Sequence, residues 1–189
     1  MMKTALPSKT LVVVGHPDLQ RSRIHRAWVD ALAAETDATV HPLYERYTHG
    51  TINRSHEQEL LLAHGRIILQ FPFYWYSTPP LVKEWLDTVL ERGWAYGPGG
   101  RQLHGKELGL AISTGSKAED YKADGRYRAT MDDLTAPFRV LATHVGMSYL
   151  PGFYLNDVRA VSDEQLRAAA KAYCRHLMLP SSHGGRDAQ

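Results

Sequence analysis

Apolar positions along the chain fall into two recurring textures. Leu11-Val-Val-Val14 is a short β-branched run closed by Gly15, and after a polar loop Ile24, Ala27, Trp28, Ala31 and Leu32 recur at helical spacing. This strand, loop and helix order then repeats. Residues 39–43 read as a strand and 57–63 as a short helix; residues 66–71 read as a fully buried strand, and Pro80 opens a helix through Leu90. Proline suits that place because the first helical turn does not use its N–H. A strand over 107–114, a helix over 131–145 and a strand over 147–154 follow, and Ser162 with Asp163 opens an amphipathic helix to Met178. Five strands thus alternate with five helices.

Parallel neighbours need right-handed crossovers, so the alternation predicts the α/β class: a flavodoxin-like three-layer sandwich with a five-stranded parallel sheet. One domain is expected over residues 1–180, with 181–189, small and polar, as a flexible tail. Such sheets bind ligands beyond the carboxyl ends of their strands. The loops over 15–23, 71–80, 114–130 and 152–157 are therefore where function should sit.

The first loop leads into a helix start, where free N–H groups and the helix dipole favour a phosphate; Ser22 is the expected cap, with Arg21 and Arg23 as added charge. The same residues also read as an ordinary N-cap flanked by surface arginines. The second loop, Phe71-Pro-Phe-Tyr-Trp-Tyr-Ser-Thr-Pro-Pro80, holds five aromatics and three prolines. Rigid rings there suit a platform for a flat aromatic ligand; the alternative is a satellite apolar cluster or a subunit interface. Ser113-Thr-Gly-Ser116 offers small residues whose N–H groups can form a partly positive nest, and Tyr121 and Tyr127 lie further along that loop as phenol donors.

Composition narrows the chemistry. Of 189 residues 43% are apolar and 22% charged, enough for a sizeable core. A net charge of +2 without a basic run removes the footprint of a nucleic-acid binder. Cys174 stands alone, so no internal disulfide forms, and ten histidines include no HxH, HExxH or Cys/His cluster, so no metal is expected. Walker A, GxGxxG and GxSxG signatures are absent. No apolar stretch approaches the ~20 residues of a membrane span, and the N-terminal MMKTALPSKT lacks a signal peptide's apolar core; the expected location is the cytoplasm.

Taken in order, His16-Pro17, Ser22, residues 72–87, residues 93–100 and Ser113-Thr-Gly115 resemble the flavodoxin-like NAD(P)H:quinone oxidoreductases, and within them the ancillary subunits of bacterial glutathione-gated potassium-efflux systems. The resemblance implies a bound flavin, FMN with FAD as the alternative, NADH or NADPH as electron donor, ping-pong two-electron reduction of a quinone, and a homodimer. It also implies a second role, as a regulatory subunit on the cytoplasmic domain of a potassium-efflux protein, peripheral to the inner membrane through that partner. By position, His16, Ser22, Arg23, Ile24 and His25 match the flavin phosphate and ribityl region; Phe73, Tyr74, Trp75 and Tyr76 match the isoalloxazine platform; Ser113, Thr114, Gly115 and Ser116 match the pyrimidine turn. Tyr121 and Tyr127 fall where the family places catalytic groups. His25 stands where asparagine is common, and Tyr127 where some members carry a histidine.

Overall fold

The computed structural model describes residues 9–48 and 50–178, so the expected tail over 181–189 lies outside the described residues. Strands β1 (Thr10–Val14), β2 (Thr39–Pro42), β3 (Arg66–Pro72), β4 (Glu107–Ser113), β5 (Ser148–Tyr149) and β6 (Phe153–Leu155) form one parallel sheet in the order β2-β1-β3-β4-β5, with β6 also paired to β4. That is the doubly wound order of a flavodoxin-like sheet.

Period-two alternation divides the core into two layers. Leu11, Val13, Ile67, Leu69, Phe71, Leu108, Leu110 and Ile112 face one layer, covered by helices α3 (Arg54–Ala63), α4 (Pro80–Val89) and α6 (Ala136–His144). Val12, Val14, Ile68 and Ala111 face the other, closed by α1 (Arg23–Glu35) and α7 (Asp163–Leu177) through Trp28, Leu32, Tyr173 and Cys174. Two short helices, α2 (Leu43–Arg46) and α5 (Met131–Leu134), complete the set. No helix among the described residues is long and apolar enough to cross a membrane.

Two expected elements are interrupted, each at a proline. The strand read over 147–154 is split: Leu108 pairs with Tyr149, but Ala111 pairs with Phe153, so the fifth position gains one residue on β4. Pro151 lies in that gap, where a residue without an N–H can be accommodated. The helix read over 131–145 breaks at Thr135, because Pro137 cannot continue the α5 hydrogen-bond ladder; Thr135 instead donates its N–H and hydroxyl to Met131 O, at 2.9 and 2.7 Å.

At the amino ends of the strands Arg66 Nε donates to Glu107 Oε2 across 2.7 Å, and Arg66 also donates to Leu177 O. At the opposite end α4 sits directly on the sheet. A Cβ at Gly15 would fall 2.1 Å from Val82 Cγ2, so only glycine lets β1 turn away beneath that helix.

Candidate functional site

The carboxyl rim is built by the segments after β1, β3, β4 and β6. After β1, Gly15 N donates to Gln70 O across 2.8 Å and the chain passes into His16. Asp18 N donates to His16 Nδ1 at 3.1 Å. A backbone amide only gives its proton, so in the neutral ring the imidazole hydrogen sits on Nε2, a donor. Burial lowers the His16 pKa, with the Asp18 charge opposing it. A 3-10 turn over Leu19–Arg21 then delivers Ser22 to the start of α1, where its Oγ accepts from His25 N at 3.1 Å. Ser22 is therefore the helix cap. The N–H groups of Arg23 and Ile24 also belong to the first turn, which helix geometry leaves without intrahelical acceptors.

The arginines of this loop turn to carboxylates of the chain itself: Arg23 Nη2 is 2.6 Å from Asp163 Oδ1, and Arg21 Nε is 3.9 Å from Asp18 Oδ2. The Ile24 side chain belongs to the core under α1. His25, 1% exposed, is an internal tie. Its Nε2 is 2.8 Å from Ser113 Oγ, its Nδ1 is 3.3 Å from Gln70 Nε2, and its ring meets His16 and Trp28 at centroid distances of 5.1 Å each. Burial first, and the neighbouring His16 second, push its pKa down to about 3.

After β3 the chain runs along the surface. Tyr74 and Tyr76 are exposed and Trp75 is 92% exposed, an unusual state for the largest apolar side chain. Trp75 and Tyr76 also hold φ of +49° and +60°. Among the described residues the other non-glycine residues in this left-handed region are Arg128 and Asp157, after β4 and β6. All of them lie on the carboxyl rim, and each conformation costs on the order of 1 kcal/mol in an L-residue. Phe73, Tyr76, Tyr127 and Tyr121 form a ladder of rings with successive centroids 6.3, 5.2 and 5.2 Å apart, which closes the β3 loop on the β4 loop.

The β4 loop is folded back on itself. Ser116 Oγ and Tyr127 OH are 2.7 Å apart, Tyr127 N donates to Asp120 O, and a Cβ at Gly125 would lie 2.3 Å from Glu119 O. Tyr121 is 8% exposed and packs into the core, whereas Tyr127 is half-buried with Arg126 over its ring. Tyr76 opens to solvent, and the Tyr127 hydroxyl beside it raises its pKa. In the turn itself Thr114 N is spent on Leu155 O at 2.9 Å, Thr114 Oγ1 reaches Asn156 Oδ1 at 2.9 Å, and Gly115 is exposed with open space around it.

The structure thus brings His16, Ser22, His25 and Ser113 together at one end of the rim and Phe73, Tyr76, Ser116, Tyr121 and Tyr127 at the other, joined by Phe73 N donating to Ser113 O at 2.9 Å. Arg23 and Ile24 contribute backbone only, their side chains being engaged elsewhere, and among the described residues no other ring meets Tyr74 or Trp75. Sequence reasoning missed Gln70 and Asn156. A lone amide inside the apolar strand Ile67-Ile-Leu-Gln-Phe71 is the available signal for the first; the second lies in the candidate loop over 152–157, where no motif singles it out.

Beside the rim, below β2, Glu57 is buried and accepts from His41 Nε2 at 3.0 Å, Trp85 Nε1 at 2.7 Å and Tyr47 OH. Burial pushes its pKa up, but these three donors together outweigh it and the net shift is downward. Among the described residues no group of three or more His, Cys, Asp or Glu is placed to hold a metal.

Residues 8–177 match the family model described as flavodoxin-like fold. The chain is 47% identical over 169 residues to an uncharacterized NAD(P)H oxidoreductase, YdeQ, of Bacillus subtilis, covering 89% of this chain and 86% of the relative. It is 40% identical over 179 residues to the glutathione-regulated potassium-efflux system ancillary protein KefG of Salmonella paratyphi B, covering 95% and 98%. Among solved structures it resembles general stress protein 14 of Treponema denticola in complex with FMN, with a TM-score of 0.85, 38% identity and coverage of 90% and 98%. A protein from P. pentosaceus described as an NADPH-quinone reductase gives a TM-score of 0.82 at 35% identity, covering 89% and 97%. Sheet order, rim and relatives agree, and the chain belongs to the flavodoxin-like family, whose members include proteins named as NAD(P)H oxidoreductases.

Proposed function

We propose that the chain is a flavin-dependent NAD(P)H:quinone oxidoreductase that takes FMN and reduces quinones by two electrons in a ping-pong cycle. One observation carries the reading: a helix start with unused N–H groups, a bare His16 Nε2–H and a strained, solvent-facing aromatic loop share one edge of the sheet. The donor set fits FMN. The amides of Arg23 and Ile24 with the α1 dipole suit a phosphate, His16 Nε2–H suits a phosphate or ribityl oxygen, and Phe73, Tyr74, Trp75 and Tyr76 suit a flat ring system. The FMN complex of the T. denticola relative supports FMN over FAD.

A bound flavin supplies two-electron hydride chemistry that no side chain offers. The protein's part is placement. Ser113, Thr114, Gly115 and Ser116 line the turn at the end of β4, where the free N–H groups of Gly115 and Ser116 can meet negative charge. Tyr127, fixed by Ser116 and backed by Tyr121, presents a phenol that can hydrogen-bond an acceptor carbonyl. Nicotinamide and quinone then use the same aromatic floor in turn. Trp75, standing clear of its own chain, suits cover by a second copy, which makes the homodimer part of the proposal.

The purified protein, reconstituted with FMN, should show a bound-flavin spectrum and oxidise NADH or NADPH with a benzoquinone acceptor; no oxidation with either donor overturns the reading. Similarity to KefG over 95% of the chain favours one second reading, a regulatory subunit on the cytoplasmic domain of a potassium-efflux protein, with the reductase incidental and the inner membrane approached through that partner. Capture of such a domain by the full chain tests it.

A further inference from the structure

Three buried side chains tie the first turn of α1 to the ends of β3 and β4: His25, Gln70 and Ser113 are 1%, 0% and 6% exposed. The direction of the hydrogen bonds among them is fixed by what surrounds the Gln70 amide. One terminal atom of that amide lies 3.3 Å from His25 Nδ1 and 3.5 Å from His25 O. A carbonyl oxygen only accepts, so the atom facing it is the nitrogen, a donor. Turning the amide over would set oxygen against oxygen. Nδ1 consequently accepts from Gln70, the ring proton sits on Nε2, and Nε2–H donates to Ser113 Oγ at 2.8 Å.

Ser113 cannot then return its own proton to the ring, and among the described residues no acceptor takes it. Gln70 Oε1 is likewise buried without a donor. A network left incomplete at both ends is costly in a core. Here one end reaches the last residue of β4, at the rim that the flavin reading assigns to the cofactor.

We infer that His25 is a positioning residue: by donating to Ser113 Oγ it turns the Ser113 hydroxyl into an outward donor aimed at an acceptor oxygen of the flavin. The inference deepens the flavin reading and rests on it for the identity of the acceptor. The groups that face the ring are His16, Trp28, Gln70 and Ser113, none of them an anion, and burial favours the neutral ring. The polarity of the chain is therefore held through neutral pH. The imidazole spans the two strands: it accepts from β3 with one nitrogen while donating to β4 with the other.

Two measurements on the full chain test this. The first needs no flavin. Nitrogen-15 spectra of labelled histidines should show one ring held as the neutral Nε2–H tautomer over roughly pH 5 to 8, its assignment made by its loss in His25→Phe. An Nδ1–H tautomer, or titration near the ordinary histidine value, overturns the inference. The second is FMN affinity by quenching of flavin fluorescence. Ser113→Ala and His25→Phe should each weaken FMN binding about tenfold, as the loss of one hydrogen bond in a buried site does, and the double variant should bind no worse than Ser113→Ala within about twofold. Losses that multiply, or an unchanged affinity in His25→Phe, overturn it. If His25→Phe does not fold, Gln70→Leu removes the donor to Nδ1 and should show the same dependence on Ser113. Failure of the wild-type protein to bind FMN would remove the flavin reading, while the tautomer measurement still decides the direction of the hydrogen bond.

Discussion

The hydroxyls of Ser116 and Tyr127 stand 2.7 Å apart and close the loop after β4 into a hairpin-like arm at the rim. Either oxygen can donate, and the bond holds the Tyr127 ring between those of Tyr76 and Tyr121. Tyr127→Phe keeps the ring and loses the hydroxyl. It should cost stability only about 1 kcal/mol, one exchanged hydrogen bond, yet slow quinone turnover roughly tenfold with FMN retained. Steady-state rates beside the flavin-to-protein absorbance ratio check this; equal rates in variant and wild type would leave the phenol without a role.

His25 makes stability depend on acid. Its pKa in the folded protein is pushed down to about 3, below the value of an unfolded histidine, so over that interval the unfolded chain binds the extra proton and the folded one does not. This contribution is fully present above the unfolded value of about 6.5 and falls by roughly 1.4 kcal/mol for each pH unit below it. Urea unfolding at pH 7, 6 and 5 should show that slope in the wild type and a flatter one in His25→Phe.

Trp75 sets a local cost against function. At φ of +49° and almost wholly exposed, it gains little from packing and loses by conformation. In the dissociated chain Trp75→Gly should therefore raise stability by up to about 1 kcal/mol, while removing the surface offered to a second copy and lowering NAD(P)H oxidation. A variant both less stable and fully active would contradict the view of the loop as a strained platform.

Glu57 carries three donors, from His41, Tyr47 and Trp85. Removing the carboxylate in Glu57→Leu leaves the buried His41 and Trp85 donors unpaired and should cost about 3 kcal/mol. Its lowered pKa adds stability that is present above the ordinary carboxylate range and is lost as pH falls through the folded value, a window more acid than the onset of the His25 effect. Denaturant midpoints of Glu57→Leu and Glu57→Gln separate charge from shape.

Much of this architecture was legible in the chain. Val12 and Val14 against Leu11 and Val13 already divide the two core layers, and Pro80 does open α4. Pro137 and Pro151 are equally visible, but the helical and strand patterns on either side of each outweigh a single residue, so the sequence predicts continuous elements there. The site was harder because position types do not reveal direction. Sequence places Arg23 at a phosphate seat, yet the nearer carboxylate of Asp163, brought alongside by α7, takes the guanidinium. Gln70 and Asn156 act through partners more than 40 positions away, a separation no local pattern encodes.

The extra residue between β5 and β6 has a consequence of its own. Because side chains alternate along a strand, that insertion sends Phe153 and Leu155 toward α1 and α7 and Tyr154 toward α6. Deleting Gly152 would turn these three through half a revolution, expelling Phe153 from its stack on Tyr173 and swinging Asn156 away from Thr114. A frame slip in the edge strand would thus unseat the candidate site at the rim without altering the residues of the β1, β3 and β4 loops.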